Sequence, residues 1–376
     1  MRTTLAAFAA AYLCATPLAW AGYTQGVDEG TGISKNGIVP VPGEGVAPFW
    51  GGNSRNVDGP IATVYDVNGR TQPYYNGVEL TMSNYEFGGA LNIAQDSATP
   101  GFGDVVGYVG GVCVENNCTS TPPQAAVWSS NLGFINLQPA GYVASMAQGL
   151  DSNGDYVGWA QDSAGLLHPM IWYENVDVIE MAKPAGFTQA VATGVSNPAS
   201  NFGGYGVAAN GATHPIAWSD GPNGDTPNDV LPAKATSGVI VATDPNIFGG
   251  WGGSYAAKKT KGQYHAMWWS WFNQYNPIKE VDLNPKSGFT ASSVYAMRTV
   301  GKAKKPTEVG LGVSASDGTW HALVWQSTAK SAIDLGTYLP PGFTQSVATG
   351  VDENGNVQGA ALDTSGVWHQ MAWWKQ

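Results

Sequence analysis

A tryptophan recurs about every 49 residues along this chain, four positions after a histidine, and this repeat limits the folds that the chain can adopt. All five histidines of the sequence belong to this His-x-x-x-Trp pattern. Gln124 and Trp128 form the same unit with glutamine in place of histidine, and residues 46–50 are a fainter copy that ends at Trp50. Repeats of this length are typical of arrays in which each unit packs on its neighbours. The five pairs are His168 and Trp172, His214 and Trp218, His265 and Trp269, His321 and Trp325, and His369 and Trp373.

Each unit has the pattern of short strands joined by tight turns. Runs with a period of two, such as 347–351 and 357–361, flank Asn354-Gly355, which favours a type I′ hairpin. The His-x-x-x-Trp stretch is predicted as a third strand, and the segment that leads to Asp334 as a fourth. Four short strands in about fifty residues are typical of a β-propeller blade. We therefore predict an all-β propeller with six or seven four-stranded blades of about 49 residues each.

A glycine recurs in the second predicted strand of most units. We expect it to mark a close backbone approach between packed sheets, where a side chain would not fit. The positions are Gly158, Gly206, Gly252, Gly312 and Gly359.

The two ends of the repeat array fit less regularly. The last unit ends at Gln376 without its fourth strand, so a closed ring would need that strand from the N-terminal region. Residues 51–100 are predicted to hold an insertion or an extra blade.

The first 21 residues are predicted to be a signal peptide. Arg2 precedes an apolar run over 5–13, and Ala19-Trp20-Ala21 fits the small-x-small cleavage rule. The remaining residues, 22–376, are predicted to form a single domain that is secreted or periplasmic. No later segment reaches eighteen apolar residues, so no membrane span is predicted.

Two cysteines remain after removal of the signal peptide, Cys113 and Cys118. In an oxidising compartment, two cysteines this close are predicted to form a disulfide across a hairpin loop. A metal or redox pair is disfavoured, because there is neither Cys-x-x-Cys spacing nor a neighbouring histidine.

The units resemble the HAF repeat of bacterial extracellular proteins, which is named for a His-Ala-Phe run followed by a tryptophan. His265-Ala266 and His321-Ala322 match its opening, and 334–336 (Asp-Leu-Gly) resembles its closing residues. The resemblance covers roughly residues 90–376. It implies an exported repeat protein and supplies no catalytic residues.

The repeated histidines are interpreted as structural. Each shares one strand face with an apolar residue and the tryptophan, so the face is expected to be buried between blades, with one hydrogen bond for each imidazole. Metal ligation or general-base work would require histidines of different blades to converge at the central channel. Residues 151–155 and 352–356 resemble short calcium loops, but a hairpin turn explains the same residues. We predict no metal and no cofactor.

Composition excludes some partners and leaves catalysis without support. A net charge of −11 argues against nucleic acid, because a phosphate backbone requires a basic surface. No Gly-x-Ser-x-Gly, His-Glu-x-x-His or phosphate-loop motif is present. Glycosidase chemistry needs paired carboxylates, and nothing in the sequence pairs them.

The aromatic surplus outside the repeat points to binding. Five aromatic residues crowd one unit, where an exposed platform would stack on sugar rings; the alternative is that they fill space between blades. Basic loops at 258–261 and 302–305 would hold an anionic polysaccharide or would simply be solvated. The aromatic residues are Trp251, Trp268, Trp271, Phe272 and Tyr275.

We therefore predict a monomeric, non-enzymatic binding or interaction module for extracellular carbohydrate or a surface protein. The alternatives are a propeller hydrolase or lyase that acts on polysaccharide, and a structural matrix component.

Overall fold

The computed structural model describes 22–31, 62–67, 70–75, 78–93, 104–114, 117–118, 121–129, 132–151, 154–173, 177–196, 201–219, 226–244, 250–270, 279–300, 305–352 and 354–376. Within these ranges, regular structure consists of β-strands and one-turn 3₁₀ helices. No helix in the described ranges has the length and apolar character needed to cross a bilayer.

The strands are short and follow one another at regular spacing. In chain order they are β1 (Val27–Thr31), β2 (Ala62–Val67), β3 (Arg70–Tyr75), β4 (Val78–Glu79), β5 (Tyr85–Ile93), β6 (Val105–Val114), β7 (Asn117–Cys118), β8 (Gln124–Ser129), β9 (Gly133–Asn136), β10 (Ala144–Leu150), β11 (Asp155–Gln161), β12 (Leu167–Tyr173), β13 (Asp177–Glu180), β14 (Phe187–Ser196), β15 (Asn201–Ala208), β16 (Thr213–Ser219), β17 (Thr226–Asp229), β18 (Ala235–Thr243), β19 (Gly250–Ala257), β20 (Tyr264–Ser270), β21 (Lys279–Asp282), β22 (Phe289–Arg298), β23 (Thr307–Ser314), β24 (Trp320–Trp325), β25 (Ile333–Asp334), β26 (Phe343–Val351), β27 (Val357–Asp363) and β28 (Trp368–Trp373).

The strands form a six-bladed β-propeller of antiparallel sheets, which confirms the predicted fold class. Blade 1 has the order β5-β6-β8-β9, with β7 paired to β6. Blades 2 to 5 are β10-β11-β12-β13, β14-β15-β16-β17, β18-β19-β20-β21 and β22-β23-β24-β25. Blade 6 has the order β26-β27-β28-β1. The fourth strand of blade 6 thus comes from the N-terminal region, as the truncated last repeat predicted.

The repeat tryptophans from Trp128 to Trp373 lie in the seams between packed sheets, where each is at most 3% exposed. Trp50, which ends the fainter copy, lies outside the described residues. Trp172 of blade 2 donates its indole N–H to the Leu137 carbonyl, which follows the last strand of blade 1, at 2.9 Å. Trp218 of blade 3 donates in the same way to Ala182, at 2.7 Å. In these two blades the apolar ring therefore fills the wedge between two sheets while its polar atom is satisfied across the seam. The indole N–H groups of Trp269, Trp325 and Trp373 are buried without a hydrogen-bond partner among the described residues.

A β-bulge in the first strand of each blade requires the recurrent glycine. Gly158 lies opposite the bulge at Ala147–Gly149, and a Cβ built on it would lie 1.9 Å from the Met146 carbonyl oxygen. The predicted position was therefore wrong in three blades, and the close approach is within one sheet rather than between sheets. The equivalent residues, with a built Cβ 1.9 to 2.0 Å from a carbonyl oxygen, are Gly107, Gly158, Gly204, Gly253, Gly310 and Gly359.

Part of the irregular 51–100 region forms a three-stranded sheet, β2-β3-β4, that packs on β5 of blade 1. The Leu80 N–H donates to Pro73 at 2.9 Å, as the Leu137 N–H donates to Ala125 at 2.8 Å in blade 1. The indole of Trp128 donates to the Thr81 carbonyl at 2.8 Å, as in the seams between blades. The sheet therefore holds the outer hairpin pattern of a blade, and Gln72 lies at the position of the repeat histidine.

The histidines pair with a carboxylate on the outermost strand of their own blade. The Nδ1 atom of His214 lies 2.7 Å from an Asp229 oxygen, and the Phe187 ring meets the imidazole edge-on at 5.5 Å. In blade 1 the amide groups of Gln124 and Asn136 replace the imidazole and the carboxylate. The remaining pairs are His168–Glu180, His265–Asp282, His321–Asp334 and His369–Asp28.

For the predicted disulfide, the structure describes the backbone pairing of the two cysteines. The strand register places Cys113 of β6 opposite Cys118 of β7. This backbone pairing is the arrangement that a hairpin disulfide needs, and the disulfide itself stays a prediction.

Candidate functional site

The loops at one end of the propeller carry the candidate binding residues. In blade 5, Phe289 at the start of β22 pairs with Ser314 at the end of β23, so the loop before β22 and the turn after β23 lie at the same end. The other blades have the same register. We call this end, where the first strand of each blade begins, the upper face, and the opposite end the lower face.

The predicted aromatic platform is largely buried where the structure describes it. Trp251 is 0% and Trp268 is 7% exposed, and each belongs to the core of a seam beside blade 4. This burial fits the alternative in which the rings fill space between blades. Trp271, Phe272 and Tyr275 lie outside the described residues, so a ligand-binding role for this group stays a prediction.

Two half-exposed tryptophans begin strands at the upper face, Trp320 and Trp368, and the sequence analysis did not single them out. Their ring centroids are 6.3 Å apart and the rings are inclined at 33°. Trp320 begins β24 of blade 5 and Trp368 begins β28 of blade 6, so the pair bridges one seam. The signal that would have found them is their position, since each directly precedes a repeat histidine.

Packing beneath the two rings holds them in place. Both rest on a small apolar cluster that includes Leu311 of blade 5 and Val347 of blade 6. The backbone N–H of Trp320 donates to the side-chain oxygen of Gln345 across the seam, at 3.2 Å. The rings therefore need little rearrangement to accept a ligand, which lowers the entropic cost of binding.

The turns that precede the tryptophans carry ionised carboxylates. Asp317 accepts hydrogen bonds from the Thr319 hydroxyl and N–H, and these bonds lower its pKa to about 2. Backbone N–H groups, chiefly that of Val367, together with the Ser365 hydroxyl, lower the pKa of Asp363 to about 2. Both groups are therefore fixed acceptors close in sequence to the ring pair.

The upper face thus combines a flat apolar surface with charged hydrogen-bond acceptors. That combination fits a ligand that has a C–H face and several hydroxyl donors. The residues that the structure describes contain no group of three or more His, Cys, Asp or Glu side chains placed to hold a metal ion.

A buried acidic pair lies in the seam between blades 4 and 5. Asp244 and Glu308 are both 0% exposed, and Glu308 accepts from the Ser327 hydroxyl at 2.9 Å and from the Ser327 N–H at 2.8 Å. A polymer in solution cannot reach these carboxylates. The pair therefore bears on stability rather than on hydrolytic chemistry.

Glu308 should make folding stability depend on pH. Burial, with the nearby Asp244 charge as a smaller cause, raises the pKa of Glu308 from 4.5 to about 7. The folded state therefore keeps a proton that the unfolded state has released between pH 4.5 and 7, and stability falls as pH rises through that window. The Glu308 contribution is on the order of 3 kcal/mol.

Urea unfolding of wild type and Glu308→Gln between pH 4.5 and 8 measures this contribution. We expect the unfolding free energy of Glu308→Gln to fall much less with rising pH than that of wild type. The exposed control Glu79→Gln should keep the wild-type pH profile. Parallel profiles for wild type and Glu308→Gln would contradict the assignment.

Several solved structures are similar to this chain at low sequence identity. The chain is similar to the BP39L lectin from Burkholderia pseudomallei, with 13% identity, 85% of this chain and 96% of that chain covered, and a TM-score of 0.46. It is also similar to Trypanosoma rangeli sialidase, with 9% identity, a TM-score of 0.42 and coverage of 86% of this chain and 58% of that chain. A third match is Aleuria aurantia lectin, with 12% identity, coverage of 74% and 91%, and a TM-score of 0.36.

No family model and no curated protein matches the sequence. The resemblance to HAF repeats therefore stays a prediction. What this chain binds has to be argued from its own residues.

Proposed function

We propose that this protein is an exported, non-enzymatic propeller that binds extracellular carbohydrate at the upper face. The observation that carries the proposal is the half-exposed pair Trp320 and Trp368, held 6.3 Å apart across the seam between blades 5 and 6. The predicted signal peptide and the resemblance to HAF repeats support an extracellular or periplasmic location.

Stacking on the tryptophan pair would supply most of the affinity. Sugar rings present a face of C–H groups that packs on an indole ring, and a half-buried ring loses little conformational freedom on binding. Asp317 and Asp363 would accept hydrogen bonds from hydroxyl groups at the rim. Charge-assisted bonds of this kind are about twice as strong as neutral ones and would orient the sugar.

Binding to a panel of neutral polysaccharides tests the proposal. We expect wild type to bind at least one of them and the double variant Trp320→Ala/Trp368→Ala to bind it at least about tenfold more weakly, because two stacking contacts are lost. Trp374→Ala is the matched control, because Trp374 is half-buried on the lower face. The control should bind like wild type.

Two results would overturn the proposal. One is failure of wild type to bind any polymer of the panel. The other is equal binding by wild type and by a double variant whose circular dichroism and thermal unfolding are those of the folded protein.

A further inference from the structure

A cluster of exposed lysines lies on the upper face of blades 4 and 5, in a chain with 28 acidic and 17 basic residues. Lys234 precedes β18, and Ala235 pairs with Ala257, so the loop before β18 lies beside the turn that follows β19. That turn carries three more lysines, and one further lysine precedes β22. We call this group the upper lysine cluster, and its members are Lys234, Lys258, Lys259, Lys261 and Lys286.

The backbone of two of these lysines is strained. Lys234 has φ 72° and Lys261 has φ 56°, in the left-handed region that favours glycine. In the matching loops of other blades the position of Lys234 is occupied by glycine, as in Gly186 (φ 85°) and Gly288 (φ 86°). The loop before β18 therefore departs from the repeat, because it places a lysine where glycine would adopt the same backbone conformation without strain. Retained strain of this kind is typical of functional positions.

Local carboxylates neutralise the cluster only in part, since Glu280 of β21 interacts electrostatically with Lys259. In blade 2 the lysine of the corresponding loop, Lys183, forms an ion pair with Glu180 at 2.7 Å. The ion pairs seen among the described residues include none of the five cluster lysines. Asp282, the acid at this end of blade 4, accepts instead from the Tyr255 hydroxyl and faces His265.

One lysine is also held by an aromatic ring. The Lys259 ammonium lies 5.1 Å from the centroid of the Tyr255 ring. Tyr255 takes the edge-on contact with His265 that phenylalanine makes in blades 3, 5 and 6, because Ala235 has no ring. In blade 4, Lys234-Ala235 therefore replaces the Gly-Phe pair of blades 3, 5 and 6. The replacement adds a positive charge, and Tyr255 keeps the ring contact with His265.

We infer that the upper lysine cluster binds the carboxylate groups of an acidic polysaccharide. The inference rests on the proposed function in that the ligand is a polysaccharide, but it uses different residues and a different chemistry. Nucleic acid and anionic membranes are disfavoured, because the acidic excess of the rest of the chain repels surfaces of dense phosphate charge.

Binding to polygalacturonate and alginate tests the inference, with methyl-esterified polygalacturonate as the uncharged probe. We expect wild type to bind at least one acidic polymer and not the ester, and the affinity to fall as salt is raised. Lys234→Gln/Lys258→Gln/Lys261→Gln should weaken binding at least about tenfold, since three charge contacts are lost. The matched control is Lys279→Gln/Lys330→Gln/Lys375→Gln, which removes the same charge from the lower face.

Four results would overturn the inference: no wild-type binding to either acidic polymer, equal binding by the two triple variants, equal binding of polygalacturonate and its ester, or tighter binding of duplex DNA or phosphatidylserine vesicles. Neutral-polymer binding that depends on Trp320 and Trp368 would still support the proposed function in each case. If the tryptophan variant loses neutral polymers while the lysine variant keeps acidic ones, only this inference fails.

Discussion

Deletion of residues 22–31 is expected to lower the free energy of unfolding by more than about 4 kcal/mol, which is in the range of the most severe single changes. The deletion leaves β28 as an open edge and removes Tyr23, which is 3% exposed in the seam between blades 5 and 6. The Tyr23 hydroxyl donates to the Gly355 carbonyl at 2.9 Å, and the Gly26 N–H donates to Tyr338 at 2.8 Å. The segment therefore ties the start of the domain to its end.

Urea unfolding followed by circular dichroism measures the effect, with the chain that starts at Gly22 as the reference. Asp28→Asn is the control for the strand's own ion pair with His369, and it should cost less than about 1 kcal/mol. A synthetic peptide of residues 22–31 should restore part of the lost stability. Equal unfolding midpoints for the deleted and reference chains would contradict the closure by β1.

Gly158→Ala is expected to destabilise the protein by at least about 4 kcal/mol, because the new Cβ would meet rigid backbone. It would lie 1.9 Å from the Met146 carbonyl oxygen and 3.0 Å from the Ala147 Cα. Both atoms belong to the first strand of blade 2, at its bulge, so neither can move without disrupting the pairing of that strand with the second.

The matched control is Gly141→Ala in the same blade. Gly141 has open space around it but a φ of 86°, so alanine there should cost only about 1–2 kcal/mol of backbone strain. Thermal unfolding of the two variants should therefore give clearly different midpoints. Similar midpoints would show that the bulge tolerates a side chain and that the glycine is not required there.

The fold was largely predictable because one physical requirement is repeated in every unit. Each seam between two packed sheets is filled by a large ring. The spacing of Trp172, Trp218 and Trp269 therefore gives the length of one blade. The missing fourth strand was also predictable, since an open strand at the end of the last blade had to be paired. The bulge was not, because it depends on strand register, and periodicity alone does not give the register.

The proposed binding face was predicted less well, for a related reason. Trp268 and Trp320 look alike in sequence, but Trp268 lies inside a strand within a seam and is 7% exposed, whereas Trp320 begins its strand at the upper face. Composition counts tryptophans without distinguishing these places. Lys234 was not grouped with the 258–261 turn for the same reason, because only the strand register places it beside that turn.

Hydrogen exchange measured by mass spectrometry, with and without the best-bound polysaccharide, tests whether carbohydrate binds at Trp320 and Trp368. We expect slower exchange in peptides that cover 317–321 and 363–369 on the upper face, with no change in peptides around Trp374 on the lower face. Protection confined to the lower face, or no protection in either Trp320 or Trp368 peptides at saturating ligand, would contradict it.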